Sequence, residues 1–224
     1  MTRARQIPSI PRTLAETAQR LYARGWALGT SGNLSVVVSH RPFRLAITAS
    51  GRDKRTLRAT DIVTVNERGQ LASSRSSGSP TRGSRRADAN GRPSAETLLH
   101  VTIAQRRQAG AILHTHSVWS TILSDAHAAA GGFAIEGYEM LKGLHGVTTH
   151  THREWIPIVE NDQDIPRLAP IVEEQLAAHP EAHAVLLRRH GLYTWGPTLA
   201  DAERHVEILE FLFEALGRSR HGGM

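Results

Sequence analysis

Cysteine is absent from the 224 residues. No disulfide framework or thiolate metal ligand is therefore available, and a metal would have to be held by His, Asp or Glu. Long apolar runs are missing too: none approaches the ~20 residues a membrane helix requires. The opening stretch MTRARQIPSIPR has no apolar segment ahead of its prolines. Both gaps predict a chain with no membrane or secretory segment, working in the cytoplasm. Lysine is scarce, with Lys54 and Lys142 set against 25 arginines. Both lysines fall in motif-like stretches, which points to compact point-charge roles that a planar guanidinium does not copy.

The net charge of +6 invites a nucleic-acid reading, but its distribution argues against one. Residues 72–92 (ASSRSSGSPTRGSRRADANGR) hold five Arg and one Asp, and so carry most of the excess. That stretch has no Ile, Leu, Val or Phe, so it cannot bury enough apolar surface to offset its ordering entropy. It is expected to be a flexible surface loop. The rest of the chain is close to neutral, and no nucleic-acid or membrane partner is expected.

Residues 13–16 fit a capping box, with Leu14, Ala18, Leu21 and Tyr22 recurring at helical spacing behind it. Strand-like runs at 34–38, 44–48 and 62–65 follow, punctuated by Gly, Pro and Asn. Further helices are predicted over 94–107, 118–124 and 165–178, and from a Thr198 cap onward. Further strands are predicted over 110–116, 155–159, 184–189 and 192–195. Strands and helices are interleaved without a repeat or an interior linker beyond 72–92. The reading is one α/β domain over residues 1–224.

The sharpest chemical signal is His114-Thr115-His116. Residues at i and i+2 of a strand share a face, so the two imidazoles point the same way, close enough to share one ion. Catalytic zinc typically takes three protein ligands and keeps one position open. His190 is the best third candidate, because it ends an apolar run and is followed by Gly191, which permits close backbone approach. His150 and His152 repeat the i, i+2 spacing and are the main rival pair. His205 reads as a helix-face residue. The segments 30–35 (TSGNLS) and 48–54 (TASGRDK) are hydroxyl-and-glycine loops of the kind whose N–H groups and hydroxyls converge on phosphate oxygens, though either alone could be a plain turn. Glu96 and Glu139 are carboxylates without a distinguishing local context.

The ordered series Ser31-Gly32-Asn33-Leu34-Ser35, Ser50-Gly51, Pro93-Ser94-Ala95-Glu96, His114-Thr115-His116 and Arg189-His190-Gly191 resembles the class II aldolase/adducin family over nearly the whole chain. The runs at 114–118, 136–140, 156–158, 161–165 and 190–196 are similar to a branch of that family whose members are dehydratases. The resemblance implies a three-layer α/β/α domain around a mixed, mostly antiparallel sheet, assembled as a homotetramer with active sites near subunit interfaces. It implies one zinc ion per subunit on His114, His116 and His190. It also implies a small phosphorylated keto-sugar substrate bound by Ser31, Gly32, Asn33, Ser50, Gly51, Lys54, Ser94 and Lys142. Glu139 is then the expected proton-transfer group. Glu96 matches the acid/base glutamate of the aldolases and is the alternative. Aldolase or epimerase activity, or an adducin-like binding module without catalysis, are the rival functions.

Overall fold

A computed structural model describes residues 9–72 and 91–221. Most of the Ser/Arg-rich stretch at 72–92 therefore lies outside the described residues. Among the described residues eight strands form one sheet: β1 (Asn33–His40), β2 (Phe43–Thr48), β3 (Ile62–Val65), β4 (Ala111–Thr115), β5 (Gly132–Ile135), β6 (Glu154–Val159), β7 (Ala184–Leu187) and β8 (Gly191–Gly196). Their order is β3-β2-β1-β4-β8-β7-β6-β5. All neighbouring pairs run antiparallel except β6 and β7. The helices are α1 (Ile10–Ala23), α2 (Thr97–Arg107), α3 (Val118–Ala126), α4 (Ile165–Ala178) and α5 (Leu199–His221).

Alternation along the strands sends side chains to two apolar layers. Ile47, Val63, Ile112, Val185 and Tyr193 pack against Leu99, Ile103, Leu168 and Val172 of α2 and α4. On the other face, Leu34, Ala46 and Leu113 meet α1 and the start of α5, while Ile156, Ala184 and Leu192 meet α3 and the rest of α5. The chain is thus α/β/α in three layers around a mixed, mostly antiparallel sheet. Among the described residues no helix is long and apolar enough to cross a membrane.

Three local expectations shift. Helix α1 starts at Ile10 rather than after Thr13, because the fixed φ of Pro11 suits a first turn, and the Thr13 hydroxyl bonds back to the Ser9 carbonyl instead of capping. Strand β5 had no strong sequence signal, since it is short and begins at Gly132, whose backbone lies close against Trp155. Helix α2 begins at Thr97, and Ser94–Glu96 form the turn that precedes it. That last shift matters most, because it frees the Glu96 side chain from the helix.

Candidate active site

Strand β4 runs between β1 and β8, with His114 directly opposite Asn33 on one side and Tyr193 on the other. This register places three polar or aromatic side chains in a row on the α2/α4 face. The Tyr193 ring stacks on His114 at 3.9 Å between centroids and 11° between planes. His116 lies just past the end of β4, its N–H donating to the Trp26 carbonyl. His190 sits in the β7–β8 turn, where Arg189 takes a left-handed φ of 54°. Gly191 is required there, because a Cβ would stand 2.1 Å from the Thr115 carbonyl oxygen.

The three rings meet through their Nε2 atoms. His114 Nε2 is 2.8 Å from that of His116 and 3.3 Å from that of His190, and the latter two are 3.1 Å apart. His114 Nδ1 donates to the Leu192 carbonyl at 2.9 Å and His190 Nδ1 to the Asn161 side-chain oxygen at 3.1 Å. Those bonds fix the tautomers and leave bare Nε2 lone pairs facing one another. Burial pushes His114 well below its ordinary pKa, and burial with the adjacent His190 takes His116 to about 4. Those two rings are therefore neutral, the form a metal requires. A single proton can bridge only one pair of nitrogens, whereas a central cation satisfies all three. Tetrahedral ligands at ~2.0–2.1 Å from zinc lie roughly 3.3 Å apart, so the spacing suits such an ion.

Glu96 lies against this triangle, with Oε1 3.2 Å from His190 Nε2 and Oε2 3.6 Å from His114 Nε2. Asn33 Nδ2 donates to Glu96 Oε2 at 2.6 Å and to Ser94 Oγ at 2.9 Å. Burial opposes the charge on Glu96, but positive charge at His114 and His190, carried by a shared proton or a bound cation, and the Asn33 donor outweigh it and hold the carboxyl below its ordinary range.

Beside the triangle is a cavity of about 130 Å³ lined by both hydroxyl-and-glycine loops, Lys54, Ser94, Glu96 and His116. Gly32 (φ 71°) brings the first loop so close that a Cβ would sit 2.6 Å from the His114 carbonyl oxygen. The Ser31 and Ser50 N–H groups are used within the fold, on the Leu28 and Arg92 carbonyls. Those two N–H groups are therefore not free for a ligand, which leaves the loop hydroxyls and Lys54 in the polar lining. Lys54 is buried and ties the loops together through the Thr30 and Arg52 carbonyls, each at 3.1 Å. Burial lowers its pKa to about 8 against the pull of Asp53 and Glu96.

Residues 12–216 match the sequence model of the Class II Aldolase and Adducin N-terminal domain. The chain belongs to the class II aldolase and adducin family. It is similar to the methylthioribulose-1-phosphate dehydratase of Methylococcus capsulatus, 44% identical over 93% of both chains. The enzyme of the same name from Marinobacter nauticus is 43% identical over 90% of this chain and 89% of its own. Among solved structures, the L-fuculose-1-phosphate aldolase of Thermus thermophilus shares the fold with a TM-score of 0.67 at 23% identity, over 92% of this chain and 93% of that one.

Of the candidates drawn from the family resemblance, Ser31, Gly32, Asn33, Ser50, Gly51, Lys54, Ser94, Glu96, His114, His116 and His190 come together here. Glu139 and Lys142 do not line this pocket. Both lie on a short 3-10 helix at Glu139–Gly143, whose Leu141 is buried while the two charged side chains face solvent. Glu139 pairs with Lys142 at 2.6 Å and lies 3.9 Å from His150. The rival His150/His152 pair is divided. His152 joins Glu154 and His183 in a second cluster, where both rings point at one carboxylate oxygen, at 2.8 and 2.9 Å. His205 is buried rather than on a helix surface, donating to the Trp195 carbonyl and accepting from the His145 N–H. Asn161 and Tyr193 lay inside the runs that marked the dehydratase branch, but only their contacts with His190 and His114 disclose what they do.

Proposed function

We propose that this chain is a zinc-dependent hydro-lyase that converts 5-methylthioribulose 1-phosphate to 2,3-diketo-5-methylthiopentyl 1-phosphate, a cytoplasmic step of methionine salvage. The observation that carries the reading is the triangle of Nε2 atoms from His114, His116 and His190, beside a hydroxyl-lined pocket holding a buried lysine. The choice of substrate rests on the relatives that bear the dehydratase name.

In this substrate the C2 ketone adjoins C3–H, and C4 carries the hydroxyl to be lost. Zinc, when bound, supplies Lewis-acid polarisation of the ketone, an effect worth several kcal/mol. The hydroxyls of Ser31, Ser50 and Ser94 and the Lys54 ammonium hold the phosphate. A carboxylate accepts the C3 proton, and an acid returns a proton to the departing C4 hydroxyl. The resulting enol tautomerises to the diketone. Within one chain the carboxylate at the triangle is Glu96. Glu139 serves as the proton-transfer group when a neighbouring copy in a homotetramer carries it to the site, with Lys142 beside it.

Incubation of the zinc-loaded chain with 5-methylthioribulose 1-phosphate tests the reading. The diketone should form with loss of one water. Two fragments from C3–C4 cleavage would make the chain an aldolase. Neither product, together with no metal uptake, would favour a binding module.

A further inference from the structure

Behind Asn33 lies a histidine that this chemistry does not use. His100 of α2 is fully buried. Its Nε2 makes a short contact with Asn33 Oδ1, and its Nδ1 lies 2.8 Å from Ser35 Oγ. The Ser35 hydroxyl has a second, longer option in the Ile112 carbonyl at 3.4 Å. The edge of the His100 ring packs on Tyr193 at 5.7 Å, and Tyr193 in turn stacks on His114.

One constraint settles where the protons lie. An ionised Glu96 only accepts, so Asn33 must turn Nδ2 toward it, which leaves Oδ1 facing His100. Oδ1 also only accepts, so His100 Nε2 carries the proton and Nδ1 takes the Ser35 hydroxyl. Burial lowers the His100 pKa to about 4 against the pull of Glu96, so the singly protonated ring persists at neutral pH. The opposite tautomer would turn Asn33 around and set its carbonyl against the Glu96 carboxylate.

We propose that His100 is a positioning residue, which locks the Asn33 amide so that Asn33 aims the Glu96 carboxylate at the histidine triangle. This inference rests on the reading that the triangle holds a divalent metal. Without the His100 donor, Asn33 Oδ1 is left buried and unpaired, and the amide is free to rotate away from Glu96.

The test compares His100→Leu, which removes the donor, with His100→Gln, whose terminal amide restores one near the same place. The readouts are the zinc dissociation constant from chelator competition, and kcat and KM for dehydration, each repeated in a Glu96→Ala background. Loss of an outer-shell partner commonly costs ~10–100-fold in metal affinity or activity, so His100→Leu should weaken zinc binding or lower kcat on that scale while KM stays nearly unchanged. His100→Gln should recover most of the loss. In the Glu96→Ala background the further effect of His100→Leu should stay within about 3-fold, because the group it aims is gone. Wild-type zinc binding and kcat in His100→Leu, or an equal loss with and without Glu96, would overturn the proposal. Should His100→Leu fail to fold, His100→Asn replaces it, being too short to reach Asn33. Asn and Gln variants that behave alike would also overturn it. Zinc binding is read without substrate, so a wild-type chain that binds zinc but does not dehydrate would overturn the proposed activity alone. A wild-type chain that binds no divalent metal would overturn both.

Discussion

The ring of His190 donates through Nδ1 to the side-chain oxygen of Asn161 at 3.1 Å, joining the β7–β8 turn to the segment that follows β6. That bond selects the tautomer whose Nε2 faces His114 and His116. Asn161→Ala should therefore weaken zinc binding by ~10–100-fold without displacing the strands. Chelator competition measures this directly, and an unchanged dissociation constant would mean that the turn alone orients His190.

Replacement of a ligand is more severe. His114→Ala or His116→Ala leaves an incomplete set and should reduce zinc content sharply, and His190→Ala should do the same. Elemental analysis of the purified variants decides it. Near-stoichiometric zinc in the His114→Ala/His116→Ala double variant would refute the site and turn attention to His152, Glu154 and His183.

The two glutamates make separable contributions. A general acid or base contributes ~10²–10⁴-fold to rate, so Glu139→Gln should lose turnover on that scale while retaining zinc. Glu96→Gln should lose ~10–100-fold, largely through metal affinity or substrate placement. Exchange of the C3 proton with deuterated solvent should be suppressed in Glu139→Gln. If copies share sites, mixing and reassembling the two variants should restore part of the activity, since some sites then combine intact Glu96 with intact Glu139. Normal exchange in Glu139→Gln with none in Glu96→Gln would give the proton transfer to Glu96 within one chain.

Glu210 of α5 is buried against the end of β4, accepting from the Thr115 hydroxyl at 3.1 Å. Burial raises its pKa to about 7, with the Ser117 and Thr115 hydroxyls opposing. Between the unfolded carboxyl value near 4.5 and about 7 the folded chain binds the extra proton, so this group's contribution to stability falls as pH rises through that window. Glu210→Gln removes the dependence and should stabilise the chain at pH 8 by on the order of 1–3 kcal/mol. Urea unfolding midpoints at pH 5 and pH 8 test it. A variant that is less stable than wild type at pH 8 would show that Glu210 works as a charged group.

Helix α4 and strand β3 appear at the residues their patterns predicted, because a 3.6-residue or 2-residue period and its punctuation are local properties. The His114-x-His116 face is legible for the same reason: alternation along one strand needs no knowledge of the neighbours. Glu96 was harder to place. The sequence places it inside a helix over 94–107 with no distinguishing context, yet α2 begins at Thr97, and the side chain turns to the histidines instead of capping.

From the sequence by itself came the strand that pairs two imidazoles, the lack of any sulfur ligand, two polar loops and the family. His190 was the best third candidate in the sequence, and tertiary structure decided that, 76 residues from His114, it closes a triangle with 2.8–3.3 Å edges. It also decided that Asn33, His114 and Tyr193 stand abreast on three strands, that Lys54 is buried between two loops, and that Glu139 faces outward. The physical reason is register. A slip of one residue in β1, β4 or β8 would send Asn33, His114 or Tyr193 to the opposite face, and the summed packing of both apolar layers holds the strands in place.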